Sequence, residues 1–182
     1  MIYTGHMHGI IHVELKKYIE IKHGVDFYPA VLAEAGLSNR LYIPVSTYAD
    51  HEFKAIVQAL QRLTGQPETA ILEDFGEFIT PDFIDMYHTL IDPSWKTADF
   101  LTHAEASVHP VVRLNNPGSR PPVLQFERRG PNELHFHYDS PRQMSAIAKG
   151  IMKGVARHYG ETLTIQEEVH EDGTIDMTIW IS

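Results

Sequence analysis

Tyr138, Ser140 and Arg142 set a phenol, a hydroxyl and a guanidinium at alternate positions where a strand passes into a helix. In extended chain, residues two apart point the same way, so the three can donate to one anion, a carboxylate or a phosphate. Free N–H groups and the dipole of the following helix would strengthen that attraction. The plainer alternative has Ser140 capping the helix, with Tyr138 and Arg142 an ordinary strand-end and first-turn residue. His109 is the second candidate, because neutral imidazole is the commonest nitrogen ligand for metals. One histidine among twelve is nevertheless more often a surface or satisfied core residue. Pro110 also disfavours helical geometry at His109, which places it at a helix end or kink. His6, His8 and His12 cluster near Glu14, and His135 and His137 share a strand face, but no hydrolytic ligand set such as H-E-x-x-H is present.

The elements that must position these groups change character near residue 115, in the turn-forming run Asn115-Asn116-Pro117-Gly118-Ser119-Arg120-Pro121-Pro122. Before it the apolar spacing is helical. Ile11, Leu15, Tyr18 and Ile19 predict a helix stopped by Gly24, and Tyr28 to Ala35 a short one closed by Gly36. Asp50 reads as the cap of a helix through Phe53, Ile56, Leu60 and Leu63, ended by Gly65. Pro67 opens the next through Phe78, and Thr80-Pro81-Asp82 reads as a cap starting a further helix through Ile84, Tyr87 and Leu90. Thr97 caps a helix to about Val108. After the turn-rich run, Val123–Glu127 and Glu133–Tyr138 read as strands. Ser140-Pro141 starts a helix with Met144, Ile147, Ile151 and Val155 along it, and Thr162–Val169 and Thr174–Ile181 form a hairpin about Asp172-Gly173. About six helices and then a four-stranded antiparallel sheet with one long helix inserted make an α+β fold in a single domain over 1–182. Residues 1–6 are an extension, 7–115 are mainly helical and 116–182 carry the strands.

Composition narrows the function. The 182 residues are 43% hydrophobic and 21% charged, enough to bury a real core. Fifteen basic against twenty-four acidic residues give a net charge of −9, which argues against a nucleic-acid binder. No apolar run approaches the ~20 residues of a membrane span, and the N-terminus does not read as a signal peptide. With no cysteine there is neither a thiolate metal site nor a cysteine nucleophile. These features suit the cytoplasm of a bacterium.

Tyr138-x-Ser140-x-Arg142 matches the Y-x-S-x-R motif of the haem nitric-oxide/oxygen-binding (H-NOX, HNOB) family, and the chain resembles that family over nearly its whole length. His109 lies 29 residues before Tyr138, where the family keeps its proximal haem ligand. Met7-His8-Gly9-Ile10 resembles the family's Met-x-Gly start, and Leu72-Glu73-Asp74-Phe75-Gly76 its helical segment ending in Phe/Val-Gly. Arg120-Pro121-Pro122 resembles the proline-bearing loop between ligand and motif. The resemblance implies haem b, with His109 on the iron, Tyr138, Ser140 and Arg142 on the propionates, and Pro122 against the haem. His103 is a nearby competitor for the iron, but its spacing to Tyr138 does not fit the family.

By the same resemblance the distal wall combines Ile11 and Leu15 with Ile147 and Ile151, and Phe83 joins from mid-chain. Family members that hold oxygen stably carry a tyrosine on the second of these helices, at the position of Ile147. An apolar wall without a donor implies binding of NO and CO and little stable O2 binding. His8 and His12 stand one turn apart on the first helix, where one of them could reach inward. The resemblance further implies a non-enzymatic sensor signalling to a separate histidine kinase or cyclic-di-nucleotide enzyme. A haem-less module of the same fold is the alternative, and a histidine/carboxylate metalloenzyme a remoter one.

Overall fold

The computed structural model describes residues 5–107, 110, 114 and 125–182. Helices α1 (Gly9–His23), α2 (Phe27–Glu34) and α3 (Asp50–Thr64) stop just ahead of Gly24, Gly36 and Gly65, as their sequences predict. At Gly65 φ is 73°, a left-handed turn that lets the amide bond back to the Gln61 carbonyl at 2.8 Å. Asp50 does not cap α3. It is the first residue of the helix, Ala49 takes the cap position, and the Asp50 carboxylate is used elsewhere.

The cap expected at Thr80-Pro81-Asp82 is absent, because α4 runs unbroken over Glu68–Met86 with Pro81 inside it. Proline removes the donor owed to the Glu77 carbonyl, normally a heavy cost in mid-helix. Here the turn is held from outside. Thr80 is buried, and its Oγ1 donates to the Gly76 carbonyl at 2.8 Å while its side chain packs where Gly154 leaves room. A single 3-10 turn, His88–Leu90, replaces the expected continuation, and α5 covers Thr97–Ser107.

Two short strands that the sequence does not signal, β1 (His6–His8) and β2 (Thr47–Ala49), pair antiparallel with His6 opposite Ala49. The main sheet joins β3 (Gln125–Gly130), β4 (Glu133–Tyr138), β5 (Leu163–Val169) and β6 (Ile175–Ile181) in the order β3-β4-β6-β5. The long helix α6 (Ser145–His158) is inserted between β4 and β5. It begins at Ser145 and not at Ser140-Pro141, whose residues form a turn. The α+β class and the four-stranded antiparallel sheet with one long helix inserted are those read from the sequence.

Alternation along the sheet puts Leu134, Phe136, Tyr138, Met177, Ile179 and Ile181 on one buried face, packed with α5 and α6. A second core lies among α1, α2, α3 and α4 and includes Met144. Ile151 on α6 packs against both. The two cores meet where α4 lies on α6, and the helices approach so closely that a Cβ on Gly76 would overlap the Ile147 carbonyl and one on Gly150 the Glu73 carbonyl. Backbone cannot yield there as a flexible side chain can. We expect Gly150→Ala to cost about 1–3 kcal/mol, a fall of roughly 3–10 °C in Tm. Thermal unfolding of the two proteins checks it, and an unchanged Tm would contradict this packing.

Candidate functional site

Strand β4 ends at Tyr138, which is buried, and its hydroxyl oxygen accepts the Met144 amide at 3.0 Å. That bond draws the connection 139–144 into a loop and delays the helix to Ser145. Ser140 Oγ consequently accepts from the Arg142 amide at 3.3 Å and does not cap α6. Gln143 takes a left-handed φ of 55° at the tightest point. Tyr138, at the strand end, and Ser140 and Arg142 on the loop therefore all stand ahead of the helix and not on its first turn.

Arg142 crosses to the N-terminal half of the chain. Its Nε donates to Asp50 Oδ2 at 2.9 Å and its Nη2 to the His6 carbonyl at 2.8 Å. Both side chains are nearly out of water, 10% exposed for Arg142 and 9% for Asp50. Removing one partner of such a pair leaves a buried charge unmatched. Asp50 and His6 are the residues that sequence reasoning missed. Their separation from Arg142, 92 and 136 residues, leaves no local signal that could have found them.

The five apolar residues assigned to one wall all belong to the helical core or pack against it. Leu15 is fully buried, and Ile11, Phe83, Ile147 and Ile151 pack half-buried against the same core, which also holds Phe75 and Met144. His109 and Pro122 lie outside the described residues. His103 is exposed, with Nδ1 at 2.7 Å from the Asp99 carbonyl and its ring stacked on Trp95 at 5.0 Å.

The N-terminal histidines disperse to separate tasks. His8 Nδ1 accepts the Ile10 amide at 3.5 Å at the start of α1. His12, 1% exposed, stacks on Tyr42 at 4.2 Å, with Tyr48 and Phe53 at its other edges. Glu14 turns to Lys17 and Asp82, and burial together with a hydrogen bond to Asp82 raises its carboxyl pKa. Around His12, Tyr42 and Arg40 both donate to Glu52. Burial works to raise the Glu52 carboxyl, but those hydrogen bonds outweigh it and hold the group below its ordinary range. On the far face of the sheet, His137 Nδ1 and His170 Nε2 lie 2.7 and 2.8 Å from the two Asp176 oxygens, with His135 beside them. Among the described residues no group of three or more histidines and carboxylates is arranged to hold a metal ion.

Burial pushes the His12 imidazole down from 6.5 to about 4, against the pull of Glu52 and Asp50. Its folded pKa lies below its unfolded one, so the native state binds fewer protons and is favoured in full only above pH 6.5. Stability should fall as pH drops from 6.5 towards 4, by up to about 3 kcal/mol at the lower end. Chemical denaturation of the protein and of His12→Phe across that range isolates this contribution. The variant should lose less stability on acidification, and parallel curves would contradict the assignment.

Compared with known proteins, residues 8–167 match the model of the Haem-NO-binding family. No curated protein matches the chain. Among solved structures, a variant of the H-NOX protein from K. algicida in its unliganded Fe(II) state is similar at 25% identity and TM-score 0.88, covering 97% of each chain. The H-NOX protein from S. oneidensis in its Fe(II)NO state superposes at TM-score 0.88 with 20% identity, over 97% of this chain and 99% of that one. A mutant H-NOX from T. tengcongensis gives TM-score 0.80 at 19% identity, over 94% of each.

Proposed function

The chain belongs to the Haem-NO-binding (H-NOX) family, whose members are haem-based gas sensors, and from that premise we propose a receptor that takes NO and CO, holds O2 poorly and signals to a separate partner. The observation that carries the reading is the gathering of Ile11, Leu15, Phe83, Ile147 and Ile151 in one apolar cluster, with the Tyr138-x-Ser140-x-Arg142 loop joining that core through Met144.

The chemistry of these residues fits haem, an apolar disc with two carboxylates at its edge. Tyr138 spends a lone pair on the Met144 amide, which leaves its own proton to donate. Ser140 and Arg142 stand on the same loop, and the guanidinium is already oriented by Asp50. In this reading the three hold the propionates, whose burial would be costly without donors. His109 would hold the iron, Pro122 would pack on the haem, and the apolar cluster would line the pocket and exclude water. Haem b, when bound, supplies a ferrous iron at which NO and CO bind. None of the five wall residues offers a hydrogen-bond donor, which O2 needs far more than NO or CO does. The family's domains are sensor modules, and we take this chain to be one and not an enzyme, acting in the cytoplasm on a histidine kinase or a cyclic-di-nucleotide enzyme. Among the described residues, no helix is long and apolar enough to cross a membrane.

Absorption spectra of the haem-supplied protein test the proposal: reduced without gas, then under NO, CO and air. A five-coordinate ferrous spectrum that changes with NO and CO and is untouched by air is expected. Failure to take up haem would overturn the sensor reading and favour the haem-less module. Stable O2 binding would overturn the assignment of an apolar wall.

A further inference from the structure

We propose that Gly5 and His6 hold Arg142 in position through their main-chain carbonyls, making the segment ahead of Met7 a working part of the propionate site; this rests on the sensor reading above. The His6 carbonyl accepts from Arg142 Nη2 at 2.8 Å, and the Gly5 carbonyl accepts the Asp50 amide at 3.0 Å. Asp50 Oδ2 in turn accepts from Arg142 Nε at 2.9 Å. Two successive carbonyls therefore clasp the two partners of one buried ion pair. The pairing of His6 with Ala49 in the small sheet fixes their direction.

A guanidinium with so little access to water needs a protein acceptor for each N–H it does not offer to a ligand. The His6 oxygen supplies one of them with a charge-assisted bond. It also sets the angle of the guanidinium plane, because Nε and Nη2 are held by acceptors from different elements, α3 and β1. The family match begins at residue 8, so neither carbonyl lies in the matched stretch. The clasp uses the main chain, so its effect should depend on a peptide bond before Met7 and not on the imidazole of His6.

The test compares the haem-loaded full chain with a chain beginning at Met7, a chain in which Met1 is joined directly to Met7, and His6→Ala. Starting at Met7 removes both carbonyls and leaves an ammonium in their place. Joining Met1 to Met7 restores one carbonyl ahead of Met7. Haem transfer to excess apomyoglobin gives the dissociation rate, and resonance Raman spectra give the propionate bending band. We expect the Met7 chain to lose haem roughly tenfold faster, with a shifted propionate band. The Met1–Met7 chain should recover most of the difference, and His6→Ala should match the full chain. The Met7 truncation should also have little further effect in an Arg142→Lys background. Equal haem-loss rates with an unmoved band, or a truncation penalty just as large in Arg142→Lys, would overturn the clasp and leave the sensor reading standing. No haem uptake by the full chain would overturn both.

Discussion

His109→Ala is expected to abolish the histidine-ligated ferrous spectrum, weaken haem retention by roughly 100-fold or more, and let free imidazole restore the spectrum. Losing a group that only orients a metal ligand already costs on the order of 10- to 100-fold in affinity, and loss of the ligand itself should cost no less. With no cysteine in the chain, a thiolate cannot take its place. His103, the nearest competitor in sequence, is engaged with the Asp99 carbonyl and stacked on Trp95. Arg142→Ala serves as the contrast. It removes the donor proposed for a propionate and one half of a buried ion pair, so haem should be lost faster while the ferrous spectrum keeps its form. Titration of His109→Ala with imidazole, followed by absorbance, separates the two effects. An unchanged spectrum in His109→Ala would remove His109 as the ligand.

What the sequence made legible was local. Gly24, Gly36 and Gly65 stop three helices because the conformation that ends a helix suits glycine, whatever surrounds it. Asp172-Gly173 turned the last hairpin for the same kind of reason, with Asp172 Oδ1 accepting from the Thr174 amide at 3.0 Å. Errors arose where a distant partner outbid a local signal. Thr80-Pro81-Asp82 carries every mark of a helix start, yet Thr80 is packed against Gly154 of α6 and the helix passes through. Ser140 looks like a cap, but the Tyr138 hydroxyl has already claimed the Met144 amide and moved the helix onward. Asp50 looks like another, and its carboxylate went to Arg142. The strands β1 and β2, of three residues each, are too short to show any period.

The candidate site was legible in a different way. Tyr138, Ser140 and Arg142 could be singled out as an anion site from their types and alternate spacing, but the five wall residues could be named only through resemblance, because no spacing in one sequence relates Ile11 and Phe83 to Ile147. What resemblance did not supply is the set of contacts that fixes Arg142. They include Asp50 and the main chain at residue 6, where the side chain leaves no record.

Ile147→Tyr is expected to confer O2 binding that persists in air, while affinities for NO and CO change by no more than a few-fold. Ile147 stands in the first turn of α6, half-buried against the core that holds Leu15 and Phe83. Its carbonyl is seated against Gly76 of α4, so its backbone is fixed where the two helices touch. A phenol hung from that point would place one donor in a wall whose five assigned residues have none. O2 draws negative charge onto itself when it binds, and a hydrogen bond to such an acceptor contributes about 1.5–3 kcal/mol, or roughly 10- to 100-fold in retention. NO and CO take up much less charge and gain correspondingly little. Ile147→Phe supplies the same ring without the hydroxyl, so any effect of bulk or repacking appears in both variants. Dissociation rates measured by mixing the oxygenated proteins with excess CO would give the comparison. Slow O2 release in the tyrosine variant and not in the phenylalanine variant supports the apolar wall as the basis of gas selection. Equal rates in both would show that selection rests on some other feature of the pocket, and would take Ile147 out of it.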